Sequence, residues 1–223
     1  MEISLTPMEF ARRAKRLYSE SEAVVDGELR LTYGQFFERC DRWSKALQGM
    51  GVKKGDRVAY IAPNTHSHLE AYYAVPQIGA VLVPINYRLK SEEFEYILNH
   101  CGAKVLCVHP DFYDAIDGIR DQIKTVEAFI GLEDALPNWI DYEAQIHQHE
   151  ASFAPVEIDE LDLITINYTS GTTARPKGVM ITHRNAYINI MGPLAHHHLT
   201  PQDRYLWTLP MFHANGWTFT WIN

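Results

Sequence analysis

The stretch from Tyr168 to Gly178, YTSGTTARPKG, gathers four hydroxyl residues (Thr169, Ser170, Thr172, Thr173), two glycines and one lysine within eleven positions. Phosphate oxygens need several short donors and a close backbone approach, which Ser, Thr and Gly supply, and a cation to offset their charge, which Lys177 supplies. Pro176 stiffens the chain just ahead of that lysine. The segment reads as a polyphosphate cradle. Composition alone also suits a plain surface loop, so residue order has to decide. The order departs from a Walker loop, because Pro176 stands where its second glycine belongs and Gly178 where its magnesium-binding Ser or Thr belongs. Val179-Met180-Ile181 then reads as a strand, not as the helix whose N-terminus a Walker loop uses.

Other polar clusters carry less. His196-His197-His198 invites a metal reading, but consecutive helical residues point about 100° apart and no partner stands four residues away, so no metal site is expected. His66 and His68, and His147 and His149, read as solvated. His213 is a lone histidine, equally consistent with a ligand contact and with a packed or solvated ring. Asp159, Glu160 and Asp162 can be read as an acid/base set or as a turn. Cys40, Cys101 and Cys107 form no C-x-x-C pair and read as free thiols in a reducing cytosol.

The elements that must hold these residues follow from periodicity. Thr6, Pro7 and Glu9 predict a capped helix with Phe10, Ala14 and Leu17 on one face. AVVDGELRL alternates about Asp26-Gly27 and predicts a hairpin. Thr32 with Gln35 forms a second capping box, opening a helix that buries Phe36, Cys40, Trp43 and Leu47 and stops at Gly49 to Gly51. Short apolar strands then alternate with helices, the pattern of a parallel sheet covered on its faces. Strands are expected at Val58 to Ala62, Val81 to Ile85, Val105 to Val108, Ala128 to Ile130 and Leu163 to Asn167. Helices are expected near Thr65 to Ile78, Glu92 to Cys101 with Ser91 as cap, and Phe112 to Ile123. Tyr205 to Leu209 reads as a further apolar strand. The linker Ala151 to Asp162 suggests two α/β subdomains, 1–155 and 156–223.

The chain has 223 residues, 46% of them hydrophobic and 22% charged, which suits a globular protein and excludes disorder. A net charge of −8 leaves no basic field for nucleic acid or an anionic membrane. The N-terminus MEISLTPMEF lacks the basic start and apolar run of a signal peptide, and a cytoplasmic location is expected. Ala71 to Tyr87, the longest uncharged stretch, is interrupted by Pro76, Gln77, Gly79 and Pro84 and reads as a buried helix and strand, so no transmembrane segment is expected.

The Tyr168 to Gly178 segment closely resembles the phosphate-binding signature of the adenylate-forming superfamily, which includes acyl-CoA synthetases, firefly luciferase and peptide-synthetase adenylation domains. The flanking Asp159-Glu160-Leu161-Asp162 and Thr182-His183-Arg184-Asn185 are also in the family style. LTYGQF (31–36), IGAVLVPINYRL (78–89) and LPMFHANGW (209–217) are similar to further family blocks in the correct order, so the resemblance covers nearly the whole chain. The last of these blocks favours acyl-CoA synthetases over peptide-synthetase domains.

The resemblance implies a two-step reaction with small-molecule substrates. A carboxylate attacks the α-phosphate of ATP to give an acyl-adenylate and pyrophosphate, and coenzyme A then displaces AMP. By the same resemblance Thr169, Ser170, Gly171, Thr172 and Thr173 wrap the β- and γ-phosphates, Lys177 supplies positive charge, and Lys177 and Thr172 are the catalytic pair. His213 lies beside the substrate carboxylate, Gly216 and Trp217 line the acyl tunnel, and Asp159, Glu160 and Asp162 become a boundary turn. Trp217, Phe219 and Trp221 suggest a fatty or other apolar acid. Ala174 stands where the family usually has Gly, and a positive φ there would cost about 1–2 kcal/mol. Family members continue through a magnesium-binding acidic motif, a ribose-binding Asp and a C-terminal lid with a catalytic lysine. None has a counterpart in the chain, so Mg²⁺ has no ligand motif here. The expectation is the truncated N-terminal domain of an acyl-CoA synthetase-like α/β fold, inactive alone and prone to self-association through its cut edge. The alternative is a catalytically incompetent nucleotide-binding or interaction fragment.

Overall fold

The computed structural model describes residues 3–169 and 175–222. Helix α1 (Met8–Leu17) opens the chain. The hydroxyl of Thr6 does accept the Met8 amide at 3.2 Å, but the reciprocal bond is missing because the Glu9 carboxylate pairs with Arg12 instead. Strands β1 (Glu22–Asp26) and β2 (Leu29–Thr32) pair antiparallel about the Asp26-Gly27 turn, as alternation predicts. Thr32 and Gln35 form the expected reciprocal cap of α2 (Tyr33–Gly49).

The frame is a seven-stranded sheet built from β3 (Arg57–Ile61), β4 (Val81–Pro84), β5 (Ala103–Val108), β6 (Ala128–Gly131), β7 (Ile140–Asp141), β8 (Leu163–Thr169) and β9 (Lys177–Thr182). Its order is β7-β6-β5-β3-β4-β8-β9, with every pair parallel except β8 and β9, which are antiparallel. The expected α/β class with a mostly parallel sheet flanked by helices is therefore observed. Residue 155 falls in the irregular segment ahead of β8, and β8 joins the same sheet beside β4.

Strand alternation sends side chains to two cores. Val58, Tyr60, Leu82, Val105, Cys107 and Ile130 face one core, with α2, α3 (His66–Ala74) and α6 (Tyr142–Gln148) packed over it. Ala59, Ile61, Val83, Ile85, Leu106 and Val108 face the other, covered by α4 (Ser91–Cys101) and α5 (Tyr113–Asp117). Helix α7 (His183–His197) follows β9 and is capped by Thr182 and Asn185.

Four further expectations are corrected. Ser91 is the first helical residue rather than the cap, because the Glu93 carboxylate takes the Lys90 amide at 3.0 Å and so draws the cap one residue earlier. Phe112 to Ile123 is not one helix but the 3-10 turn Pro110–Phe112, α5 and a second 3-10 turn, Arg120–Gln122, because Gly118 closes α5. Tyr205 to Leu209 forms no strand: Leu209 gives its carbonyl to the Asn64 side chain and Tyr205 stacks on Phe219, so neither is spent on a ladder. His66 and His68 are not solvated, because α3 lies buried under the sheet. His68 is fully enclosed between the Tyr60 and Tyr72 rings, and His66 bonds Asp26 at 2.8 Å.

An ion network centred on the buried Glu70 ties the helical layer together. Arg39 of α2 donates to Glu70 of α3 at 2.6 Å and to Glu143 of α6 at 2.5 Å, while the Tyr142 hydroxyl donates to Glu70. Burial raises the Glu70 carboxyl despite the pull of Arg39, and these partners occupy both of its oxygens. No helix among the described residues is long and apolar enough to cross a membrane.

Candidate active site

In open α/β sheets ligands gather beyond the carboxyl ends of the strands. The β8 end is built accordingly. Thr169, its last residue, stands opposite Lys177, the first residue of β9, so a strand pair fixes the separation between the two ends of the hydroxyl-rich loop. Ser170, Gly171, Thr172, Thr173 and Ala174 lie outside the described residues. Lys177 is exposed and makes no ion pair with any described residue, which leaves its ammonium available to an anion. Gly178 is required by the crossing itself, since a Cβ there would lie 2.9 Å from Ile166 Cγ2.

The opposite face of β8 is braced by rings. The Tyr168 hydroxyl sits 2.6 Å from His100 Nδ1, Tyr96 packs on His100 at 5.2 Å, and the Arg175 guanidinium lies over Tyr96 at 5.2 Å. Burial pushes the Tyr168 hydroxyl up, so it stays protonated.

Thr165, Asn167 and Thr169 share the other face of β8. Leu82 is the register partner of Thr165, so these residues project where neighbouring strands carry apolar side chains. Two of them close a ring with Asn215. Thr165 Oγ1 donates to Asn167 Oδ1 at 3.0 Å, Asn167 Nδ2 donates to Asn215 Oδ1 at 3.0 Å, and Asn215 Nδ2 donates to Thr165 Oγ1 at 2.9 Å. Asn167 Nδ2 also donates to the Phe212 carbonyl at 3.2 Å. Asn215 is 1% exposed and Thr165 is completely buried, so the ring satisfies amides that would otherwise be stranded in a core.

The ring holds an unusual backbone. Ala214, Asn215, Gly216, Trp217 and Thr218 have φ of 47°, 54°, 57°, 58° and 66°, a continuous left-handed turn. Each non-glycine residue in that region costs roughly 1–2 kcal/mol, so the turn persists only because its surroundings impose it. Gly216 is needed for a second reason: a Cβ would meet Trp207 Cζ2 at 2.5 Å. Further bonds dock the turn on the first half of the chain. Asn64 takes both the Leu209 carbonyl at 2.8 Å and the Met211 amide at 2.9 Å, Tyr72 donates to the Met211 carbonyl and Tyr73 to the Thr220 carbonyl.

At the exposed side of this turn the His213 and Trp217 rings meet edge to face at 6.3 Å. Gly216 is buried and lines the Trp207 contact rather than open space. His196 bonds the Gly192 carbonyl and His197 packs on Phe219, and no group of three His, Cys, Asp or Glu among the described residues is placed to hold a metal. Asp159, Glu160 and Asp162 form a turn clasped by Lys54 and Arg184.

Thr165, Asn167, Asn215 and Asn64 carry no motif that marks them as site residues in the sequence. A signal was present: strand Leu163–Thr169 alternates polar and apolar residues inside a sheet whose other central strands are apolar on both faces.

Comparison with known proteins adds to this geometry. A family model described as AMP-binding enzyme matches residues 10–223. The peroxisomal benzoate–CoA ligase of Arabidopsis thaliana is 37% identical, over 98% of this chain and 40% of its own length. The long-chain-fatty-acid–CoA ligase of Thermus thermophilus is 37% identical, over 97% of this chain and 41% of its own length. The inhibitor-bound N-terminal domain of FACL13 from Mycobacterium tuberculosis superposes with a TM-score of 0.89 at 31% identity, covering 97% of this chain and 54% of that one. The chain spans about two fifths of the length of the curated relatives it matches.

Proposed function

The chain belongs to the AMP-binding enzyme family, and from that premise we propose that it supplies the phosphate-binding loop and the start of the acid pocket of an acid–thiol ligase. The observation that carries this reading is the β8–β9 pair, which presents Thr169 and Lys177, a cation with no ion pair among the described residues, at the two ends of the hydroxyl-rich loop. The donor set suits the triphosphate of ATP. Thr169, Ser170, Gly171, Thr172 and Thr173 would hold the β- and γ-phosphates, with Lys177 and Thr172 carrying the catalytic load. The substrate carboxylate oxygen attacks the α-phosphorus, the bond to pyrophosphate breaks, and a coenzyme A thiol then displaces AMP from the acyl carbon. Mg²⁺ would neutralise triphosphate charge, through ligands other than the described residues.

His213 and Trp217 would meet the acid. The aromatic surroundings, with Tyr205 stacked on Phe219 at 4.7 Å and edge-on to Trp207 at 5.2 Å, support a fatty or aromatic acid over a polar one. The names of the benzoate and long-chain-fatty-acid relatives support the same class. Domains at 1–155 and 156–223, a cytoplasmic location with its three cysteines reduced, and self-association through the β9 edge complete the reading.

Acid-dependent exchange of labelled pyrophosphate into ATP tests it. In a complete enzyme containing this chain, benzoate or a fatty acid should support exchange, and support from amino acids alone would overturn the reading. On the 223-residue chain by itself we expect ATP binding weaker than about 10 μM and exchange no higher than in Lys177→Ala. The alternative, a nucleotide-binding module without turnover, would be favoured by a complete enzyme that binds ATP and exchanges nothing with any acid.

A further inference from the structure

The segment that leads to His213 is held by side chains rather than by a strand ladder. Asn64, half-buried in the loop between β3 and α3, grips its backbone on both sides of Pro210. Asn64 Nδ2 donates to the Leu209 carbonyl at 2.8 Å, and Asn64 Oδ1 accepts the Met211 amide at 2.9 Å. A planar amide that gives one bond and takes another two residues on stands in for a neighbouring strand, and fixes both the height and the direction of the segment. Met211 then enters the core at 4% exposure, and the His213 amide donates back to the Pro210 carbonyl at 3.1 Å, which closes a four-residue turn. Tyr72 donates to the Met211 carbonyl and Asn167 to the Phe212 carbonyl, one bond each. Among the described residues Asn64 alone holds the segment at two points.

Asn64 is itself firmly placed. Thr65, the next residue, caps α3 by accepting the His68 amide, and α3 is buried along most of its length. Strand β3 is the middle strand of the sheet, so Asn64 stands beyond the carboxyl end of a central strand, where open α/β sheets collect ligands. His213 has the opposite character. Its ring is exposed, meets Trp217 edge to face and makes no hydrogen bond with any described residue. The place of that ring is therefore set by its backbone, and the backbone by the turn that Asn64 grips.

We infer, on the functional reading above in which His213 meets the acid, that Asn64 is a positioning residue for His213 and through it for the carboxylate of the acid substrate. Asn64 touches no substrate in this scheme. Without its two bonds the turn can relax away from the end of β3, and a misplacement of about 1 Å at a positioned contact can cost about a hundredfold.

Steady-state kinetics of acid-dependent pyrophosphate exchange, in a complete enzyme containing this chain, tests the assignment. Benzoate, octanoate and palmitate are offered to the parent, and the best of them is varied separately from ATP. Asn64→Leu removes both bonds with little change of shape, and should raise KM for the acid about tenfold or more while KM for ATP stays within about twofold. Asn64→Asp keeps the acceptor for the Met211 amide and loses the donor to Leu209, so it should fall between the parent and Asn64→Leu. It also carries the test should Asn64→Leu fail to fold. The decisive arm combines each variant with His213→Ala. Acting through His213, Asn64 should then change KM for the acid by less than about twofold more. A merely structural residue would instead lower kcat by shrinking the active fraction, leave both KM values in place, or add its full effect to His213→Ala. Any of those results overturns the role of Asn64 and leaves the functional reading standing. A parent enzyme with no exchange on any of the three acids overturns both.

Discussion

Thr169 and Lys177 face each other across an antiparallel strand pair, seven residues apart inclusive of neither, and this pairing sets the mouth of the loop between them.

Because Lys177 is exposed and unpaired among the described residues, its charge can be removed without disturbing packing. Lys177→Ala is expected to weaken ATP binding about tenfold or more, the worth of one charge-assisted hydrogen bond, and to leave the urea midpoint unchanged. Calorimetry and denaturation on the same preparation check both halves.

Gly216→Ala adds a Cβ at φ 57° and directs it 2.5 Å from Trp207 Cζ2. Strain and overpacking together should cost about 2–4 kcal/mol. A companion Gly192→Ala, where nothing lies within 4 Å of the new atom, should cost nothing measurable in the same denaturation assay.

Burial holds His68 neutral, lowering it to about 4, and His183 is lowered to about 4 for the same reason. The unfolded chain protonates both near 6.5, while the folded chain does not until about 4. Falling pH therefore favours unfolding across that window, and stability should drop by up to about 3 kcal/mol per histidine between pH 6.5 and 4. His68→Phe should flatten its share of the slope in urea melts taken at half-unit steps. An undiminished slope would show that His68 is not buried as described.

Glu70 is fully buried and leans on Arg39. Arg39→Ala leaves that carboxylate uncompensated and should cost about 3–5 kcal/mol. Adding Glu70→Gln should recover part of the loss, a coupling that a double-mutant cycle measures directly.

Strand β9 ends the sheet among the described residues and exposes Val179 at 47% and Met180 at 67%. Sedimentation of the 223-residue chain should show concentration-dependent self-association, and Met180→Lys should suppress it by charging the edge.

Local chemistry made much of the fold readable before any coordinates. The Thr32 and Gln35 box, the Asp26-Gly27 turn and the apolar strands from Val58 onward each depend on residues a few positions apart, and each formed. What stayed hidden depends on distant partners. His68 reads as a polar surface residue until α3 is packed between Tyr60 and Tyr72, and Asn167 reads as a weak spot in a strand until Asn215 arrives beside it. The two-residue strand β7 and the helix α6 after it were missed because so short a strand has no period of its own. For the site, the loop chemistry was legible, whereas the left-handed turn was not. Gly216 and, less strongly, Asn215 tolerate that conformation, whereas Ala214, Trp217 and Thr218 adopt it under tertiary constraint.

The sheet order has a kinetic consequence. Leu82 of β4 and Thr165 of β8 are register neighbours, yet β5, β6 and β7 all intervene in the chain and sit at the far side of β3. Closing so long a loop is slow compared with forming the β1–β2 hairpin or the β8–β9 pair. Strand β8 is thus expected to arrive last, against a face already assembled from β3, β4 and β5, and the phosphate-binding apparatus would be the final part of the molecule to mature.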